Sequence, residues 1–210
     1  SFHMANLETT KIHLKGIKRL RIPENRDLEN GLRLNRNEKV DVWPQNFLSN
    51  IFNQKSDYFL SVYPDLSNLY KKISQHISID ESKILVTSGI DGAMKTLWEV
   101  ICQPGDQIGV PGPTYAMYYV YSKIFNTNLT EIQYLPENRK LDWDQLNDFI
   151  DSKPRILFLP NPNQPIEDTL SIEQIDDLAK RTKINDTLLV IDEAYRSEER
   201  RVGKECRSRW

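Results

Sequence analysis

Apolar positions in this chain follow two alternating spacings from about residue 66 onward. Segments with an apolar residue at every third or fourth position predict helices at 66–77, after Gly89, at 115–125, after Asp142 and after Ser171. Short runs of aliphatic and β-branched residues predict strands at 83–87, 107–110, 129–134, 155–159 and 188–191. Because strands and helices alternate, the pattern predicts an α/β fold, in which a mostly parallel sheet carries helices on both faces in three α/β/α layers.

The chain divides into three parts by composition. Residues 1–34 are charged and weakly periodic, which predicts an N-terminal arm or part of a small domain. Residues 35–195 carry the alternating pattern and are expected to form the main domain. Residues 196–210 match the conceptual translation of a common sequencing adapter at every position, so we expect a non-native tail and a native sequence that stops near Tyr195.

Overall composition limits the class of protein. Apolar residues make up 39% of the 210 residues and charged residues 28%, which suffices for a globular core, and the formal net charge of −2 does not favour a nucleic-acid partner. No apolar run reaches the roughly 18 residues of a membrane span. The two cysteines and three histidines share no ligand spacing. We therefore expect a soluble, cytoplasmic protein without a metal site.

Three polar clusters, at 88–92, 161–164 and 192–195, each follow a predicted strand. Ligands of open parallel sheets bind outside the carboxyl ends of the strands, so we expect these clusters to converge on one site. The turn at Ser88 and Gly89 suits a phosphate, because glycine allows a tight turn and a helix start offers free N–H groups. Neither the P-loop motif GxxxxGK(S/T) nor the dinucleotide-binding motif GxGxxG is present. Taken singly, each cluster is equally typical of an ordinary turn, a helix cap or core packing.

Seven short motifs occur in a fixed order, namely Leu34-Asn35-Arg36-Asn37-Glu38, Tyr63-Pro64-Asp65, Thr87-Ser88-Gly89, Pro104-Gly105-Asp106, Pro113-Thr114-Tyr115, Asn161-Pro162-Asn163-Gln164-Pro165 and Asp192-Glu193-Ala194-Tyr195. In this order and spacing they resemble the fold-type-I, class I/II aminotransferases that depend on pyridoxal 5'-phosphate, particularly the histidinol-phosphate aminotransferase group. The resemblance covers residues 35–195. It implies the pyridoxal-phosphate-dependent transferase fold of the family's large domain, here truncated, and an enzyme of amino-acid biosynthesis.

The resemblance also implies roles for individual residues. Asp192 is similar to the carboxylate that bonds the pyridine nitrogen, Tyr195 to the phenol on the ring oxygen, and Tyr115 to the aromatic stacked on the ring. Gln164 stands where the family usually has asparagine on the ring oxygen. Two alternatives remain at this point: a register that uses Asn161, and a contribution from Asn163.

The cofactor phosphate is expected beside Ile90, Asp91 and Gly92, where the carboxylate of Asp91 has to point away from the phosphate or interact with the helix dipole. Tyr63 resembles the tyrosine that reaches the phosphate of a neighbouring subunit, which implies a homodimer with a shared site.

None of the lysines in this chain matches the family's Schiff-base lysine, and the arginine that binds the substrate carboxylate also has no counterpart. The resemblance therefore implies no catalytic residue within this chain. We expect the parent protein to move an amino group between an amino acid, or an amino-alcohol phosphate, and a 2-oxo acid, and the fragment itself to be inactive. Two alternatives are a decarboxylase or lyase of the same fold and a non-catalytic α/β nucleotide-binding module.

Overall fold

The structure is a computed structural model that describes residues 11–15, 42–55 and 58–195. The described residues form two compact units, one made of 11–15 with 87–195 and the other of 42–55 with 58–86. The predicted arm, the boundary expected near Asn35, the motif at 34–38 and the tail at 196–210 lie outside the described residues, apart from the few described positions of the arm at 11–15.

A four-stranded parallel sheet organises the unit that contains residues 87–195. Its strands are β1 (Gln107–Gly112), β2 (Asn128–Gln133), β3 (Ile156–Pro160) and β4 (Leu188–Asp192), in the order β2-β1-β3-β4. Every pairing is parallel, so the four carboxyl ends share one edge of the sheet. The predicted parallel α/β sheet is confirmed.

Helices precede and connect the strands. Helix α3 (Gly89–Ile101) precedes β1, and α4 (Met117–Ile124), α5 (Trp143–Asp151) and α6 (Ile172–Ile184) connect successive strands. The helix starts predicted at Asp142 and Ser171 are confirmed. The side chain of Asp142 accepts a hydrogen bond from the N–H of Gln145, and Ser171 and Gln174 form a reciprocal capping box. Among the described residues, no helix is long and apolar enough to cross a membrane.

Strand β3 shows how the sheet is buried on both faces. Ile156 and Phe158 pack in a cluster with α3 and α4, whereas Leu157 and Leu159 pack in a second cluster with α5 and α6. All four side chains are fully buried. Since successive strand residues point to opposite faces, this alternation places one layer of helices on each side, which is the expected three-layer arrangement.

The unit made of 42–55 and 58–86 is built differently. It contains α1 (Phe47–Asn53), α2 (Ser67–Ile77) and a 3-10 helix at Glu81–Lys83. Helix α2 confirms the helix predicted at 66–77. None of the described residues of this unit is buried, and its exposed apolar side chains include Trp43, Phe47, Phe52, Phe59 and Leu85. The apolar faces of its helices are therefore present without a covering layer inside the unit.

The strand predicted at 83–87 is wrong. Lys83 ends the 3-10 helix, Ile84 is extended, and the residues at 84–87 pair with no strand in the described part of the chain. The N–H of Val86 instead donates to the phenol oxygen of Tyr70 at 3.1 Å. A strand needs a neighbour for its backbone groups, and an apolar run by itself does not supply one.

Candidate functional site

The candidate site lies at the carboxyl edge of the sheet, where three loops meet the start of α3. Asp192 is the last residue of β4, and its carbonyl accepts from the N–H of Asn161 at 2.8 Å, which joins the loop after β3 to the end of β4. The loop after β1 runs from Pro113 through Tyr115 into α4. Parallel strands thus bring the loops after β1, β3 and β4 to one rim, as the sequence predicted, whereas the segment at 88–92 opens α3 and does not follow a strand.

Two donors hold the carboxylate of Asp192, one on each oxygen. The hydroxyl of Tyr118 donates to Oδ2 at 2.6 Å, and the N–H of Ala194 donates to Oδ1 at 3.1 Å. Tyr118 is fully buried, and burial, followed by the charge of Asp192, raises the pKa of its phenol far above the usual range. Tyr118 therefore remains a neutral donor, and the carboxylate keeps one orientation.

Tyr115 lies three residues before Tyr118, in the loop that leads into α4. Its ring is half exposed, and its hydroxyl donates to Oδ1 of Asp91 at 3.2 Å. Burial and then the nearby Asp91 raise the pKa of Tyr115, and Tyr195 adds a smaller contribution of the same sign. The carboxylate of Asp91 thus turns toward a phenol. Tyr115 thus contacts Asp91, and Tyr195 lies near enough to affect the same phenol.

The start of α3 provides backbone donors beside this tyrosine. Gly89 has a φ of +69°, a conformation that glycine adopts without strain, and it allows the chain to enter the helix directly after Thr87 and Ser88. The side chain of Ser88 does not cap the helix. N–H groups in the first turn of a helix have no intrahelical acceptor, so the segment that contains Ile90 and Asp91 offers donors to an anion.

The loop at 160–170 carries three amide side chains, and they differ in burial and in hydrogen bonding. Asn163 is fully buried: its oxygen accepts from the hydroxyl of Thr114 at 2.7 Å, and its nitrogen donates to the carbonyl of Pro113 and the phenol of Tyr134, both at 3.0 Å. The oxygen of Asn161 accepts from the N–H of Leu170 at 2.9 Å. Both amides hold the loop in place through these hydrogen bonds, and Asn163 is closed to solvent.

Gln164 is the third of these amides, and it is exposed. Its side chain makes no hydrogen bond within the part of the chain that the structure describes. This contrast favours Gln164 over the alternatives at Asn161 and Asn163 as the ligand-binding amide. The assignment of Gln164 to a ligand stays a prediction.

Tyr63 lies in the other unit, on an extended segment before α2, and its side chain is fully exposed. No side chain among the described residues of its own unit covers it. The role that the resemblance gives it in a neighbouring subunit stays a prediction.

Tyr118 is the residue that reasoning from the sequence missed. The helix predicted at 115–125 places Tyr115 and Tyr118 one turn apart on the same face, so Tyr118 could have been predicted to lie near the same site as Tyr115. What the spacing did not show is that Asp192, 74 residues later in the chain, ends beside the second phenol.

Comparison with known proteins assigns the chain to a family. The model of the family described as aminotransferase class I and II matches residues 30–199, and the chain belongs to this family. The histidinol-phosphate aminotransferase of Leuconostoc mesenteroides is 30% identical over 173 residues, which cover 80% of this chain and 47% of that relative. The chain spans less than half the length of the curated relatives it matches.

Solved structures show the same fold. A histidinol-phosphate aminotransferase from Sinorhizobium meliloti, in complex with pyridoxal 5'-phosphate, superposes with a TM-score of 0.60 at 18% identity and covers 70% of this chain and 40% of that chain. Cystalysin from Treponema denticola, which contains the same cofactor, also gives 0.60, at 17% identity, with 69% of this chain and 38% of that one covered. The large-domain fold expected from the motifs is confirmed.

Proposed function

We propose that the full-length protein is a pyridoxal-phosphate-dependent aminotransferase, which moves an amino group between an amino acid, or an amino-alcohol phosphate, and a 2-oxo acid. The observation that carries this proposal is the fixed carboxylate of Asp192, at the same rim as Tyr115 and the start of α3. Family membership and the relatives named histidinol-phosphate aminotransferase support the class of reaction and an amino-alcohol phosphate as a substrate.

The residues at the rim fit pyridoxal phosphate. A carboxylate held by two donors suits a protonated pyridine nitrogen, since a nearby negative charge favours the protonated form. A half-exposed aromatic ring suits stacking, and the open first turn of α3 suits a phosphate. Gln164 and Tyr195 would donate to the ring oxygen. When bound, the protonated cofactor accepts the electron pair released as the α-proton leaves the amino acid.

The remaining groups are proposed to come from elsewhere. Tyr63 is exposed and would reach the phosphate of a second copy, so we propose that the full-length protein forms a homodimer. The lysine that binds the cofactor covalently in the family has no counterpart among the lysines of this chain. We therefore propose that the 210-residue chain alone does not catalyse transfer.

The assay that tests this function uses the full-length protein with pyridoxal phosphate, an amino donor and a 2-oxo acid. We expect formation of the new amino acid in amounts that match consumption of the donor, and no transfer by the 210-residue chain. A full-length protein that binds the cofactor but shows no transfer with any donor and acceptor pair contradicts the proposal.

A lyase is the second candidate, because the fold is shared with cystalysin, and a carbon–sulfur lyase from Staphylococcus hominis also superposes with a TM-score of 0.60. Product analysis distinguishes the reactions. A lyase or decarboxylase releases a fragment of the substrate and needs no 2-oxo acid, whereas an aminotransferase turns over more than once only when the acceptor is present.

A pair of neighbouring substitutions tests the assignment of the loop amides. We expect Gln164→Ala to leave stability unchanged and to weaken cofactor binding by about fivefold, the loss of roughly one hydrogen bond of about 1 kcal/mol. We expect Asn163→Ala to lower the free energy of unfolding by about 2–3 kcal/mol, because buried donors and acceptors lose their partners. Cofactor titration and urea unfolding of the full-length protein give the two quantities. Equal loss of stability in both variants contradicts the division of roles.

A further inference from the structure

We infer that Tyr118 is a positioning residue of this site. It holds the carboxylate of Asp192 in the orientation that accepts a hydrogen bond from the protonated ring nitrogen of the cofactor. The inference rests on the proposed function, because it gives Tyr118 a role only if Asp192 meets that nitrogen. Tyr118 itself touches neither the substrate nor the cofactor in this account.

The hydrogen bonds of Asp192 leave it fixed but not saturated. Tyr118 donates to one oxygen at 2.6 Å and Ala194 to the other at 3.1 Å. A carboxylate accepts about four hydrogen bonds, so capacity remains for the N–H of a ring. Without the phenol, Oδ2 loses its described donor and the carboxylate becomes free to turn about its last side-chain bond.

The phenol is itself held rigidly, which is what a positioning group requires. Its ring lies against Phe158 with centroids 5.2 Å apart and against Trp98 at 6.5 Å, inside the cluster between the sheet and the helices α3 and α4. No part of the side chain is exposed. A ring packed in this way has a single position, so its hydroxyl defines a fixed point beside the end of β4.

The turn that leads into α4 also connects Tyr118 with Tyr115. The N–H of Tyr118 donates to the carbonyl of Tyr115 at 3.3 Å, and the hydroxyl of Tyr115 donates to Asp91 in the first turn of α3. One helical turn therefore connects the carboxylate proposed for the nitrogen with the segment proposed for the phosphate.

Tyr118→Phe in the full-length holoenzyme tests the inference, because phenylalanine keeps the buried ring and removes only the hydroxyl. We expect cofactor affinity to fall about tenfold and kcat to fall about 10- to 30-fold, with the KM of the amino donor unchanged. We also expect the ¹⁵N resonance of the bound cofactor's pyridine nitrogen to shift toward the unprotonated position. In an Asp192→Asn background, Tyr118→Phe should have no further effect on kcat.

Tyr119→Phe is the matched control. It lies on the same helix, and its phenol also bonds a carboxylate, that of Glu131 rather than Asp192. We expect a melting temperature close to that of Tyr118→Phe and a wild-type nitrogen resonance. Equal losses in both variants, or a wild-type resonance and kcat in Tyr118→Phe, overturn the inference.

Two further results separate the failures. If the wild-type protein neither binds the cofactor nor transfers an amino group, the proposed function fails first. If it does both, a crystal structure of the wild-type holoenzyme tests the inference even when Tyr118→Phe does not fold: we expect the bond between Tyr118 and Asp192 near 2.6 Å. A phenol turned away from Asp192 in that structure overturns the inference.

Discussion

We expect the replacement of Asp192 by asparagine to lower the kcat of the full-length protein by between about 10²- and 10⁴-fold. The reason is electrostatic: asparagine keeps the shape of the side chain but removes the negative charge that favours a protonated ring nitrogen. Loss of one partner from a partly buried charge pair costs about 3–5 kcal/mol, which corresponds to this range of rates. Steady-state kinetics at saturating cofactor and substrates measure the change.

The control for this variant is Asp186→Asn. Asp186 precedes the amino end of β4, on the opposite edge of the sheet from Asp192, and asparagine tolerates its positive φ of 57°. We expect its kcat to stay within about twofold of the wild type, because a distant exposed charge is screened. An Asp192→Asn enzyme with wild-type kcat shows that the carboxylate is not needed and refutes the assignment of Asp192.

Truncation of Trp98 to alanine destabilises the full-length protein by about 3–5 kcal/mol, the usual cost of removing a large aromatic side chain from a core. Trp98 is fully buried, its ring stacks on Phe158 at 4.7 Å, and its indole N–H donates to the hydroxyl of Thr127 at 3.2 Å. The same ring supports Tyr118. Urea unfolding followed by circular dichroism measures the loss.

Val100→Ala on the same helix is the comparison for Trp98→Ala. Val100 is 74% exposed, so we expect a change within about 0.5 kcal/mol. If Trp98→Ala is as stable as Val100→Ala, the aromatic cluster does not organise this side of the sheet, and the rigid placement of Tyr118 loses its support.

The sheet and its helices could be predicted because their signals are local. Ser171 with Gln174 marks a helix start within four residues, and the run at 156–159 is apolar throughout, as a strand buried on both faces requires. The convergence of Asp192 with Tyr115 follows in turn from the parallel topology, which brings strand ends to one rim. For these features the sequence pattern was sufficient.

Other features depend on partners far away in the chain. The segment at 84–87 has the composition of a strand but no neighbour in the described residues, and the pattern of α2 defines an apolar face without showing what covers it. The motif at 161–165 contains three side-chain amides with the same donors and acceptors, so the sequence does not distinguish their roles. Only the packing of Thr114, Pro113 and Tyr134 around Asn163 shows which amide is structural.

The most direct measurement is a crystal structure of the full-length protein with pyridoxal phosphate. We predict the pyridine nitrogen within hydrogen-bond distance of Asp192, the ring against Tyr115, and the phosphate on the backbone N–H groups that open α3. A cofactor bound away from this rim, or a ring nitrogen that faces a group other than Asp192, would contradict the account.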